Sequence, residues 1–149
     1  MPSRFISRIT SSPKPLLIKA DPDLLQQVFI NLFANSLHAL GAEGAIKIRA
    51  SSAPSIDGQG GVRIVFEDNG IGIAPEIIDH VFDPFFTTKD VGEGAGLGLA
   101  VTYGIIKEHG GEITVESEPG KFTRFLIHLP QGQQKAALLQ GNLENGTRL

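Results

Sequence analysis

Hydrophobic positions along this chain switch between two periods, and the switches mark its elements. Residues 4–9 (RFISRI) and 16–19 (LLIK) alternate as short strands on either side of a proline-containing loop. Between 22 and 40 the spacing lengthens. Leu24, Leu25, Val28, Phe29, Leu32, Phe33, Leu37 and Leu40 cover nearly every side of one helix. Asp21 and Pro22 give that helix an acceptor at its cap and a proline in its first turn, and Gly41 ends it. Alternation returns at 45–51 (AIKIRAS) and at 62–67, where Val62, Ile64 and Phe66 share a face. A turn and a short helix beginning near Pro75 follow, and then a helix over 97–109 closed by Gly110 and Gly111. The last segments, 111–118 and 122–129, predict a hairpin around Pro119 and Gly120. Strands outnumber helices and pair mostly as neighbours. The pattern therefore predicts a two-layer α/β sandwich, one mixed and mainly antiparallel sheet with helices on one face. That domain spans 1–130, and the polar, weakly patterned 131–149 reads as a disordered tail or linker.

Composition narrows the function. A chain of 149 residues is expected to be one domain with a core that needs no staples. It has no cysteine, which excludes disulfides, thiolate metal sites and thiol nucleophiles. Net charge is −3, and the 13 basic residues are scattered, which argues against nucleic acid as a partner. No apolar run approaches the ~20 residues of a membrane span, so no membrane contact by this domain is expected, and the lack of cysteine fits a cytoplasmic location. The 18 glycines lie mostly between 41 and 120, where backbone freedom or close approach is required.

Four stretches carry chemistry. Within the first helix, Gln27, Asn31, Asn35 and His38 recur at spacings of four, four and three, which makes one polar stripe on an otherwise apolar helix. The stripe either faces water without a task or holds a ligand. Amide oxygens suit a hard cation such as Mg²⁺, and amide N–H groups suit phosphate oxygens. Asp68 opens the turn EDNGIGI, where a carboxylate either caps the turn or accepts the exocyclic amine of a purine. Residues 92–99 (GEGAGLGL) precede a helix, and they form either a hinge or a cradle of backbone N–H groups for an anion. They match neither the P-loop nor the dinucleotide fingerprint. Between these two stretches lies FDPFFTTK, whose central Pro84 fits neither strand nor helix interior. The rings of Phe82, Phe85 and Phe86 thus belong to a connection, and a lid that closes over a bound base would hide them.

Together these residues resemble the motifs of sensor histidine kinases. QVFINLFANSLHAL resembles the N box, DNGIGI the G1 box, FDPFFTTK the F box and GEGAGLGLAVTYGIIKEHGG the G2 box, in the family's order over residues 21 to about 130. The F box form looks most like the nitrogen-regulation type. The resemblance implies the Bergerat ATP-binding sandwich shared with gyrase B, the MutL proteins and the large heat-shock chaperone. It implies ATP and Mg²⁺ as cofactors, with Asn35 on the metal and Asn31, Asn35, His38 and Lys89 in the catalytic set. Asp68 would accept the adenine amine, with Gly70, Gly72, Ile73 and Thr123 around the base. Thr123 stands in KFTRF where the family commonly has a Gly-Thr pair. Phe82, Phe86, Thr88 and Lys89, with Gly94, Ala95, Gly96, Leu97, Gly98 and Leu99, would form the closing segment and its phosphate contacts.

Asn31 stands where hydrolysing relatives carry a glutamate, so phosphotransfer to histidine is expected over hydrolysis. None of His38, His80, His109 and His128 opens an acceptor motif. The implied acceptor lies on a separate dimerisation domain, with a response regulator downstream, and the isolated domain is expected to be a monomer. The alternative is a stand-alone nucleotide-binding module of anti-sigma type.

Overall fold

The alternating segments assemble into a single five-stranded sheet in the computed structural model, which describes residues 4–10, 16–53, 60–86 and 98–131. The strands are β1 (Arg4–Thr10), β2 (Glu43–Ala53), β3 (Gly61–Asp68), β4 (Glu112–Glu118) and β5 (Phe122–Pro130), and they lie in the order β1-β2-β3-β5-β4. Helix α1 (Pro22–Leu40) connects β1 to β2, and that pair is parallel, as a helical crossover allows. Every other neighbouring pair is antiparallel. Helix α2 (Gly98–Glu108) leads into the β4–β5 hairpin. The expected two-layer α/β sandwich is what forms.

The core follows from the two periods. On β3, Val62, Ile64 and Phe66 are buried, and on β5 their neighbours Phe125, Ile127 and Leu129 share that face. Phe66 and Phe125 are directly opposite each other at the centre of the sheet. Val28, Leu32, Ser36 and Leu40 face the sheet from α1 at four-residue spacing, and Thr102, Ile105 and Ile106 from α2. The edge of Phe33 meets Phe66, with centroids 5.0 Å apart. On the opposite face, Arg124 holds the ends of three strands in register. It donates to Glu67 on β3 at 2.6 Å and to Glu116 on β4 at 2.9 Å.

Helix ends obey local chemistry. The Asp21 carboxylate accepts from the N–H groups of Asp23 and Leu24 at 2.9 and 3.2 Å, and Pro22 opens α1 as its sequence predicts. His109 ties the other end of α2 to this cap. Its Nδ1–H donates to the Ile105 carbonyl at 2.8 Å, and its Nε2 accepts from the Asp21 N–H at 3.1 Å.

Two expectations fail. Residues 16–19 alternate correctly, with Leu16 and Ile18 packed on the core and Leu17 exposed, but they join no ladder. Alternation reports one buried side and does not supply a pairing partner. The side-chain amide of Gln131 donates to the Leu17 carbonyl instead. The helix expected near Pro75 is a run of tighter turns with one 3₁₀ turn, Ile78–His80. Its bonds step by three residues, from Ile77 N–H to Ala74, His80 to Ile77, Asp83 to His80 and Phe86 to Asp83. Pro84 lacks the N–H that would continue it as an α-helix.

Packing sets a stability contrast between two phenylalanines. Phe125 is fully buried, whereas Phe85 is 73% exposed and holds a left-handed φ of 67°. Phe125→Ala should cost about 3–5 kcal/mol in urea unfolding. Phe85→Ala should change stability by no more than about 0.5 kcal/mol. A cost above about 2 kcal/mol for Phe85 would place its ring elsewhere.

Candidate functional site

The polar stripe of α1 lies on its flank, not on its buried face. Gln27 and His38 are exposed, Asn31 and Asn35 half-buried, and the row facing the sheet is the one from Val28 to Leu40. Asn31 of the stripe lies beside the start of α2. Gln27 Nε2 donates to Asn31 Oδ1 at 2.8 Å, and Asn31 Nδ2 donates to the Gly98 carbonyl at 3.0 Å and to Thr102 Oγ1 at 3.2 Å. Asn31 thus spans the two helices at the point where the glycine-rich segment enters α2.

Asp68 ends β3 on the core face and is 1% exposed. Taking a carboxylate from water is costly unless donors answer it. Ser36 Oγ–H donates to Oδ2 at 2.8 Å, and the Gly70 N–H donates to Oδ1 at 2.9 Å. Burial still dominates: it pushes the Asp68 carboxyl above the usual carboxylate range, and the two donors only partly restore the charge. Thr123, also buried, stands directly across from Asp68 on β5. Ser117 Oγ lies 3.2 Å from the Thr123 hydroxyl. The register of β3 with β5 therefore brings Asp68 and Thr123 together from distant parts of the sequence.

The turn after Asp68 is anchored on three sides. Ile71 N–H donates to the Ala39 carbonyl at 3.2 Å, Gly120 N–H to the Ile71 carbonyl at 2.7 Å, and Ile73 N–H to Ser117 Oγ at 2.7 Å. A Cβ on Gly70 would lie 2.7 Å from the Ala39 carbonyl oxygen. One on Gly72, whose φ is 75°, would lie 2.5 Å from that of Glu118. Backbone packing alone thus requires both glycines.

The three rings of the aromatic segment separate. Phe82 packs on the core, with its centroid 5.4 Å from Tyr103 of α2 and 6.2 Å from Phe125. Phe85 faces outward, and Phe86 lies 5.9 Å from the His80 ring. Gly98 and Leu99 open α2. Thr88, Lys89, Gly94, Ala95, Gly96 and Leu97 lie outside the described residues.

The geometry adds residues that the motifs did not single out: Ser36, Thr102 and Ser117. Ser36 and Thr102 each occupy a core-facing position of a helix, and a hydroxyl at an apolar period is the signal that would have found them. Among the described residues there is no cluster of three or more His, Cys, Asp or Glu side chains able to hold a metal. A cation here would take amide oxygens, as from Asn35, and complete its shell with ligand oxygens and water, which suits Mg²⁺.

The burial of Asp68 sets a pH dependence. The folded chain binds this proton more tightly than the unfolded one, so the contribution favours folding below the unfolded pKa and is lost as pH rises through the raised native value. Asp68→Asn keeps the shape and removes the charge. Its urea midpoint should exceed that of the wild type at pH 7, and the gap should close as pH falls through the native pKa. A midpoint below wild type at pH 7 would contradict the dominance of burial.

Comparison with known proteins supplies the lineage. Residues 20–133 match the model of the histidine kinase-, DNA gyrase B- and HSP90-like ATPase family. The chain is 44% identical over 135 residues to sensor histidine kinase ZraS of Klebsiella oxytoca, covering 89% of this chain and 28% of that protein. It spans roughly a quarter of the length of the curated ZraS relatives. The solved catalytic domain of histidine kinase ThkA superposes with a TM-score of 0.73 and 32% identity, over 85% of this chain and 79% of that one. Full-length ShkA, solved in complex with AMPPNP, superposes at 0.71 with 32% identity, over 87% of this chain and 26% of that one. The chain belongs to the histidine kinase-, DNA gyrase B- and HSP90-like ATPase family, in the form found in histidine kinase catalytic domains.

Proposed function

We propose that the chain binds ATP between α1, the Asp68 turn and the start of α2, and hands its γ-phosphoryl group to a histidine on a separate dimerisation domain. The observation that carries this reading is the buried Asp68, held by Ser36 and Gly70 and faced by Thr123. The Asp68 carboxyl group, fixed by two donors, keeps acceptor lone pairs for the exocyclic amine of adenine, which guanine lacks at that position. Ile73 and the Asp68 turn border the base.

At the phosphate end, Asn35 offers an oxygen to Mg²⁺, which when bound neutralises phosphate charge. Asn31 and His38 share its flank of α1. The F-box and G2-box motifs support assigning Phe86, Thr88, Lys89 and the glycines at 94, 96 and 98 to the phosphate end of the site, with Thr88, Lys89, Gly94 and Gly96 outside the described residues. Transfer breaks the bond between the γ-phosphorus and the bridging oxygen, forms one to the imidazole nitrogen and leaves ADP. Asn31 cannot take a proton at neutral pH, which fits a nucleophile that needs no base. The kinase names of the relatives do not favour the stand-alone anti-sigma alternative.

Finer points belong to the same proposal. The FDPFFTTK form supports the nitrogen-regulation type of kinase. A kinase of this kind signals through a response regulator and works on cytoplasmic ATP, and among the described residues no helix is long and apolar enough to cross a membrane. We place the end of the domain with β5 near residue 130; of the tail expected over 131–149, residues 132–149 lie outside the described residues.

Calorimetry with ATP, ADP and GTP, with and without Mg²⁺, tests the site. The wild type should bind ATP in a magnesium-dependent way, and Asn35→Ala should weaken Mg-ATP at least about 10-fold. Asp68→Ala should erase a preference for ATP over GTP, about 10- to 100-fold if one buried hydrogen bond and its unpaired counterpart set it. No binding by the wild type would overturn the reading. Unchanged selectivity in the second variant would remove Asp68 from the base site.

A further inference from the structure

We propose that Thr102 is a positioning residue for Asn31, deciding which end of the Asn31 amide faces the site; the proposal rests on the nucleotide reading above. A primary amide has two N–H donors and two acceptor lone pairs on its oxygen. The Asn31 amide nitrogen donates to α2, to the Gly98 carbonyl at 3.0 Å and to Thr102 Oγ1 at 3.2 Å. Its oxygen accepts from Gln27 Nε2 at 2.8 Å.

The Thr102 hydroxyl and the Gly98 carbonyl together fix the direction. The hydroxyl donates its own hydrogen to the Gly98 carbonyl at 2.9 Å, so only its lone pairs remain for Asn31. A flipped amide would set the Asn31 oxygen against the Gly98 carbonyl oxygen, acceptor against acceptor, with no hydrogen between them. Thr102 is fully buried and cannot turn away to water. The Gly98 carbonyl meanwhile receives hydrogen bonds from both helices. What the fixed amide keeps for a ligand is one oxygen lone pair. Such a group presents an oxygen to a cation or its water shell. Thr102 thereby acts on the magnesium-dependent part of nucleotide binding without touching the nucleotide.

The test uses the chain itself. ATP affinity is measured by calorimetry with Mg²⁺ and with EDTA for the wild type, Thr102→Val and Thr102→Ser. Thr102→Val keeps the volume and should lose about five-fold in Mg-ATP affinity, the worth of one net hydrogen bond, with affinity in EDTA unchanged. Thr102→Ser keeps the hydroxyl and should restore the wild-type magnesium dependence. Equal magnesium dependence in Thr102→Val and wild type, or an equal loss in both variants, would overturn the proposal. Should Thr102→Val fail to fold, Gln27→Leu at an exposed position removes the third anchor. It should lower Mg-ATP affinity in the same sense, and no change there would also overturn the proposal. A wild type that binds no nucleotide would sink the site reading, and the positioning claim would then stand or fall on NMR. The Asn31 side-chain NH₂ resonances should move in Thr102→Val and not in Thr102→Ser, and identical spectra in all three would refute it.

Discussion

Removing a carboxylate from water at the end of a central strand is the constraint around which this domain is arranged. Asp68 must be met by donors, and those donors come from elements that have to be in place first. Ser36 reaches it only because α1 lies on the sheet with that row of side chains facing inward. Gly70 reaches it only because the following turn folds back under the C-terminal end of α1. The helix, the strand end and the turn are therefore interdependent, and an apolar side chain at 68 would remove the need for that agreement.

Helix α1 serves two surfaces with one sequence. Its inward row closes the core, and its flank carries the amides and the imidazole. The two rows run side by side, one position apart at each step from Gln27 and Val28 to Asn35 and Ser36. Asn35 and Ser36 are neighbours in sequence, yet one belongs to the flank and the other to the core. The helix is in this sense the component that couples fold to chemistry.

Local signals were legible from the sequence, and distant ones were not. The cap formed by Asp21 and Pro22, the stop at Gly41 and the hairpin at Pro119 and Gly120 each depend on a few adjacent residues, and each formed as read. The turn at 78–80 was misread because apolar spacing alone does not separate a three-residue period from a helical one over so short a run. Residues 16–19 show the same limit for strands, since burial of Leu16 and Ile18 says nothing about a ladder. The nearness of Thr123 to Asp68 follows from the register of two strands far apart in the chain, which no local pattern specifies. The motifs located the loops of the site, but Ser36 and Thr102 emerged only with three-dimensional contacts.

The two helices meet at two separated points. Near the site, Asn31 joins α1 to the first residue of α2, and at the far end the His109 ring joins the last turn of α2 to the cap of α1. Two pins along one seam prevent sliding and fix the crossing, so α2 behaves as a rail clamped to α1. Gly98, where the rail begins, is therefore held from outside its own helix by Asn31 of α1. Beyond that first residue α2 contains one more glycine, Gly104.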